Sequence, residues 1–425
     1  MPEIESKQSV ASLQRLSYLL VIFFCYVSVS PAIRVFLVGA NAMSNLYEAA
    51  ITVVPDLLFA IIFVLSLLFY VKNEKFKLTL FDRIVLFYFF FNLVYGTIIS
   101  GTPSVAMRGF RLTYFPVIFY FIGRLYFREK TGMSSKTTNF LFLGLLTQGV
   151  LAIVFYFMGF ETYFLKITHN VQLSYFIPRM GGFILTPVCF GTLMSLTGGY
   201  FFYRLLSGKS AWNYLFIALC WTCVFLSVSR GPIMAFFIGF ILLTIIFKAW
   251  KKALIALVII FAASAIWSYI LTGSFNIIGW LFSSTVDTIG LGEGITRVEL
   301  WRRSWHSFLQ RPYGFGLGHA GAMANRFFKG TTVPAAVYTT DGWFLKLACE
   351  TGIPGLLSYF TLCFYYLALA KRNLAKQMNT LVPFVFVLFL MVNAICVVSN
   401  TFDFYPVIGL VWLLMGYSIN IIEQQ

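Results

Sequence analysis

Charge is what this 425-residue sequence has least of. Asp, Glu, Lys and Arg together make up 11% of it, and only fifteen residues are acidic, whereas about a quarter of a soluble domain is charged. There is too little polar side chain to cover a water-facing surface, so a string of soluble domains is excluded. Histidine is scarcer still, with three copies. His169 and His306 stand alone, and His319 ends the stretch Gly314-Phe-Gly-Leu-Gly-His319. No Gly-Lys-Ser/Thr follows that stretch, so it reads as a loop turn and not as a phosphate-cradling loop. The seven cysteines all lie in apolar runs. Cys220 and Cys223 have no second ligand pair, so packing is expected, with neither a disulfide framework nor a zinc site. From Glu48 through Asp403, the acidic residues on the outer segments are scattered with no DxD-like pair, so no metal and no cofactor is expected.

What is abundant is hydrophobicity: 60% of the residues are apolar and 49 are Phe. Apolar runs of about 18 residues or more with few charges mark membrane spans. Twelve are found, near 16–38, 49–71, 81–100, 105–127, 139–159, 183–206, 211–229, 231–247, 253–272, 353–370, 381–399 and 403–422. The expected fold is all-α, a polytopic integral membrane protein of about twelve transmembrane helices. Residues 1–272 carry nine spans, 273–342 form one long loop with short helices, and 343–425 carry the last three.

Orientation follows from the basic residues. With the N-terminus inside, eighteen Lys and Arg fall on cytoplasmic segments and six on the short outer loops, which satisfies the positive-inside rule. Both termini are therefore expected in the cytoplasm and the long loop on the outer face. The formal charge of +16 is thus a matter of topology, and no nucleic acid is expected as a partner. The outer cations are mostly arginine: Arg34, Arg108, Arg111, Arg179 and Arg230 in short loops, then Arg297, Arg302, Arg303, Arg311 and Arg326 in the long one. A planar guanidinium binds phosphate or carboxylate in bidentate fashion and never deprotonates. That choice points to an anionic ligand at the outer interface.

Two stretches carry a resemblance. One is Thr296-Arg297-Val-Glu-Leu-Trp301-Arg302-Arg303-Ser-Trp305, continuing to Gln310-Arg311-Pro312-Tyr-Gly314-Phe-Gly316-Leu-Gly318; the other is Asp341-Gly-Trp-Phe-Leu-Lys-Leu-Ala-Cys-Glu350-Thr-Gly352-Ile-Pro-Gly355. Together they resemble the outer-loop signature of the O-antigen ligase and polymerase superfamily and the segment that follows it. Weaker matches are Arg179-Met-Gly-Gly-Phe183 and Ser229-Arg230-Gly231. The ligases of the WaaL type carry His-Asn or His-Ser where this chain has Asp341-Gly342, which tilts the resemblance toward a Wzy-type repeat-unit polymerase.

The resemblance implies a GT-C-like glycosyltransferase of the bacterial inner membrane with its active site facing the periplasm. It would move a growing glycan from undecaprenyl pyrophosphate onto a lipid-linked repeat unit, beside a flippase and a chain-length regulator. O-antigen ligation to lipid A-core is the alternative within the family. A lipid-linked oligosaccharide flippase is the alternative outside it, disfavoured by the absence of repeat halves and the few ionisable residues within spans. Arg179, Arg230, Arg297 and Arg326 are expected to hold pyrophosphate, with Arg302 and Arg303 as further cations. Trp301 and Trp305 share a helix face with Arg297 and either line sugars or anchor at the interface. Asp341 is expected to be the general base or the cap of the next helix, with Glu350 and Glu299 as the other acids.

Overall fold

A computed structural model describes residues 18–33, 54, 57–65, 68, 78–126, 133–160, 173–174, 177–273, 297–321, 324 and 340–423. Among the described residues the regular structure is helical apart from one two-residue antiparallel pair, Leu173–Ser174 with Ile177–Pro178. Eleven of the twelve hydrophobic runs coincide with helices; the run near 49–71 is described only in part, with 57–65 helical. Among the described residues, six helices are long and apolar enough to cross a membrane, or seven counting the bent pair Pro103–Thr113 and Phe115–Arg124; three shorter apolar helices accompany them. The protein is a multi-pass membrane protein. Its lipid-facing character is plain on the Trp250–Thr272 helix, where Leu254, Ile255, Val258, Phe261, Ile266 and Ile270 all point outward.

The chain packs as two compact units. The first comprises residues 1–74 and 122–290. Its centre is the Pro187–Leu206 helix, buried along nearly its whole length against Asn213–Leu226, Arg230–Phe247 and Met133–Phe157. With lipid outside, helices gain little from apolarity alone and rely on close packing. Gly191 and Gly198 allow it: a Cβ on them would come within 2.6 Å of Ser227 Oγ and of the Phe236 ring. Phe142 on Tyr200 and Phe202 on Phe240 stack at 4.0 Å. Cys220 and Cys223 are buried in this packing, and all seven cysteines are free thiols.

The second unit comprises residues 75–121 and 291–425. It opens with the Leu80–Ser100 helix, whose start is a reciprocal capping box: Thr79 Oγ1 accepts from the Asp82 N–H, and Asp82 Oδ2 accepts from the Thr79 N–H at 2.9 Å. Tyr120 donates to the other Asp82 oxygen at 2.5 Å. The helix stops at Gly101 in the left-handed conformation, and Pro103 begins the next one, the expected order of stop and start signals. The unit also contains Arg297–Gln310, Trp343–Leu374, Val382–Val398 and the almost wholly buried Tyr405–Glu423. Hydropathy placed the tenth span at 353–370, yet its helix starts ten residues earlier, at Trp343. The polar residues Lys346 and Glu350 had masked the first turns.

Candidate functional site

In the first unit, two stretches far apart in sequence meet. Arg179 Nε donates to the Ser227 carbonyl at 3.2 Å and its terminal nitrogen to Ser229 Oγ at 2.6 Å. The Met180 N–H donates to the Leu226 carbonyl at 3.0 Å. The Leu226 and Ser227 carbonyls close the Asn213–Leu226 helix, where helical carbonyls lack partners within the helix, and Ser229 is the N-cap of the next helix. The turn that follows puts Val228 at φ 47, an unusual conformation for a β-branched residue. Arg179 thus clamps the turn that presents Arg230, an exposed side chain on the first residue of the next helix.

In the second unit, Trp343–Leu374 is broken at Gly352 (φ 63, ψ −158), two residues before Pro354. A break leaves carbonyls without partners in the helix. The Gly-rich loop supplies them: the Phe315 N–H donates to the Cys349 carbonyl and the Gly316 N–H to the Glu350 carbonyl, both at 2.8 Å. The Ile353 N–H, on the other side of the break, donates to the Pro312 carbonyl at 2.8 Å. On its other flank the loop touches Leu80–Ser100, through the Leu317 N–H to the Gly96 carbonyl at 3.1 Å. The loop is therefore a structural wedge, as its lack of a phosphate motif suggests. His319 closes it, buried, with Nδ1 near Leu317 O at 3.2 Å and Ser100 Oγ at 3.4 Å. Burial pushes its pKa below the ordinary histidine value, partly opposed by backbone hydrogen bonds.

Beside the wedge lies a buried charged cluster. Lys346 Nζ donates to Asp403 Oδ1 at 2.5 Å and to Thr113 Oγ1 at 2.8 Å. Thr113 Oγ1 lies 3.3 Å from the same carboxylate oxygen. Glu350 Oε2 lies 4.0 Å from Lys346 Nζ, and its Oε1 accepts the Gly318 N–H at 3.0 Å. Lys346 and Glu350 are 3% and 1% exposed at the side chain. Three helices and the loop thus converge on one ammonium and two carboxylates. Removing one partner of such a buried pair typically costs about 3–5 kcal/mol.

The remaining residues singled out by sequence fall as follows. Asp341 is half-buried, its carbonyl accepting from the Trp301 indole and the neighbouring Thr340 carbonyl from Asn400 Nδ2. The helix N-cap is Gly342, so Asp341 lies one residue ahead of the cap position. Glu350 is sealed under the wedge. Glu299 bonds Arg302 at 3.0 Å and Arg303 at 2.9 Å along the Arg297–Gln310 helix, with both arginines largely exposed. The Arg303 hydrogen bond holds Glu299 below the ordinary carboxylate range, which makes it a poor base. Trp301 is half-buried, while Trp305 is exposed and packs on Phe308 at 5.3 Å. The Arg297 side chain and Arg326 lie outside the described residues.

Sequence reasoning passed over Lys346, Asp403 and Thr113. Lys346 did carry a signal, since an ionisable residue inside an apolar run is a functional candidate by default. Thr113 and Asp403 are 290 positions apart and carried none.

A family model described as O-antigen ligase matches residues 215–360. That stretch takes in the Ser229-Arg230-Gly231 turn, the Arg297–Gln310 helix, the wedge and the broken helix from Asp341 to Gly355. No curated protein sequence matches the chain.

Proposed function

We propose that this chain is a membrane glycosyltransferase of the O-antigen ligase and polymerase superfamily, whose family model matches residues 215–360, and within it a repeat-unit polymerase. It takes a growing glycan from undecaprenyl pyrophosphate and joins it to a lipid-linked repeat unit at the periplasmic face of the bacterial inner membrane. The observation that carries this reading is the pairing of the family segment with Asp341-Gly342 at the position where the ligases have His-Asn or His-Ser. A carboxylate there suits deprotonation of a sugar hydroxyl.

In the proposed reaction the acceptor oxygen bonds to the donor's anomeric carbon while the bond from that carbon to the pyrophosphate oxygen breaks. Polyprenyl pyrophosphate leaves with the electron pair, and the hydroxyl proton passes to Asp341. Charge builds on the leaving group, so fixed cations lower the barrier most in the transition state. Arg230, Arg297 and Arg326 are proposed for that task, each to be tested by its own substitution. Arg179 positions the turn before Arg230, and Arg302 and Arg303 share the single Glu299 carboxylate.

Purified protein is expected to lengthen lipid-linked repeat units in detergent, and to do so in the presence of a chelator. Dependence on added magnesium or manganese would mean that a metal supplies the charge assigned to arginine. Cells lacking the protein should display a single capped repeat unit. Long polymer accumulating on the carrier lipid would identify a ligase, and movement across a bilayer with no new glycosidic bond a flippase.

A further inference from the structure

Among the described residues, four of the ten buried side-chain polar atoms without a hydrogen-bond partner belong to one place in the second unit: Thr340 Oγ1, Asn400 Oδ1, Thr401 Oγ1 and Asp403 Oδ2. Asn400 Nδ2 donates to the Thr340 carbonyl at 2.5 Å, and the Asp403 N–H donates to the Asn400 carbonyl at 3.0 Å. Thr340 and Thr401 are 4% and 0% exposed, and the Asp403 side chain 9%. Buried oxygens are normally satisfied, and each one that is not costs about 1–3 kcal/mol. A concentration of them on one short turn marks a place where a ligand or water supplies the missing hydrogens.

The chemistry of that ligand is constrained. Asp403 Oδ1 is held by Lys346 at 2.5 Å and Thr113 at 3.3 Å, so the carboxylate is oriented with its second oxygen bare. The Lys346 ammonium beside it disfavours a cation. Asp403 Oδ2 and Asn400 Oδ1 only accept hydrogen bonds, the threonine hydroxyls do either, and the Trp343 indole N–H, also without a partner, only donates. Trp343 and Phe402 meet edge to face at 5.0 Å there, adding an apolar wall. Acceptors, one donor and aromatic surface together match the hydroxyls and ring of a sugar. Asp341 and Asn400 are partly exposed, which gives the turn a border with the outside.

We propose that this turn is the subsite for the hydroxyls of the acceptor's terminal sugar, with Asp403 as its principal ligand and Lys346 and Thr113 as positioning residues. The proposal rests on the glycan-transfer reading and adds to it the residues that select the acceptor. Asp341 keeps the proton-transfer role.

The test is equilibrium binding in detergent, followed by tryptophan fluorescence, with two probes: lipid-linked repeat units extracted from cells lacking the protein, and sugar-free undecaprenyl pyrophosphate. Asp403→Asn should weaken binding of the sugar-bearing lipid about tenfold to a hundredfold, the loss expected for a charged hydrogen bond. Binding of the sugar-free lipid should not change. In the transfer assay, the KM for the acceptor should rise while kcat stays near the wild-type value. The double variant Lys346→Met with Asp403→Asn leaves no unpaired ammonium and is measured alongside, so that a misfolded single variant does not stand in for lost binding. Equal affinity of wild type and a folded variant for the sugar-bearing lipid would overturn the proposal and leave ordered water as the occupant. Normal binding by a wild-type protein that forms no polymer would defeat the polymerase reading alone.

Discussion

Asp341→Asn is expected to yield a protein that accumulates normally in the membrane and forms polymer about 10²–10⁴ times more slowly, the usual contribution of a positioned general base. The separation of folding from activity follows from how this residue is held. Its backbone carbonyl accepts from the Trp301 indole, and the preceding Thr340 carbonyl accepts from Asn400. Both contacts are made by backbone carbonyls, which asparagine retains. Asparagine is also close to aspartate in shape and capping ability, so it keeps the fold while removing the base. Arg297→Lys tests the complementary role. It keeps the charge but loses the bidentate fork, and a charge-assisted contact of this kind contributes about 1.5–3 kcal/mol. Polymer length measured beside membrane protein level distinguishes the two. Near-normal polymer from Asp341→Asn would remove Asp341 from the chemistry.

Gly316→Ala is expected to abolish accumulation of the protein. Gly316 has φ 97, and a Cβ there would lie 2.1 Å from Ser100 Cα and 2.3 Å from Ser100 N. Backbone cannot move aside as a flexible side chain can, and the left-handed conformation adds its own penalty. Together they amount to about 3 kcal/mol or more. The same displacement would pull the Gly316 amide from the Glu350 carbonyl and leave the broken helix with a bare acceptor. Gly101→Ala is the control. Gly101 also has positive φ, 61, but nothing lies within 4 Å of its missing Cβ, so only the conformational cost of roughly 1–2 kcal/mol applies. Membrane protein level and thermal unfolding should fall severely for the first variant and slightly for the second. Equal behaviour would mean that the wedge can be loosened without loss of the fold.

The apolar runs carried over to structure as helices. The Arg297–Gln310 helix within the long loop carried over as well. The structure adds local signals that were not read from the sequence, the Thr79–Asp82 capping box, the Gly101 stop and the Pro103 restart, each of which needs only a few consecutive residues. Where the reading went astray, a polar residue interrupted an apolar run. Lys346 and Glu350 shortened the apparent tenth span because a hydropathy window counts a charge as exposed, whereas here the two charges lie beside each other and Asp403.

By itself the sequence determined that the chain is helical and belongs in a membrane, because a scarcity of charge and a wealth of long apolar runs leave no other way to satisfy the backbone. It also marked the residues of the loop and of the broken helix as resembling one family, whose model matches residues 215–360. Only the tertiary structure decided what those residues do. It turned Arg179 onto a helix end, tied Glu299 to two exposed arginines, and buried Glu350 under the amide of Gly318. It joined Thr113, Lys346 and Asp403 around one carboxylate oxygen. Composition and periodicity report the solvent each segment prefers. Which buried charge finds which partner is decided by helices that are distant in sequence and adjacent in space, where the cost of an unpaired charge in a low-dielectric interior selects the pairing.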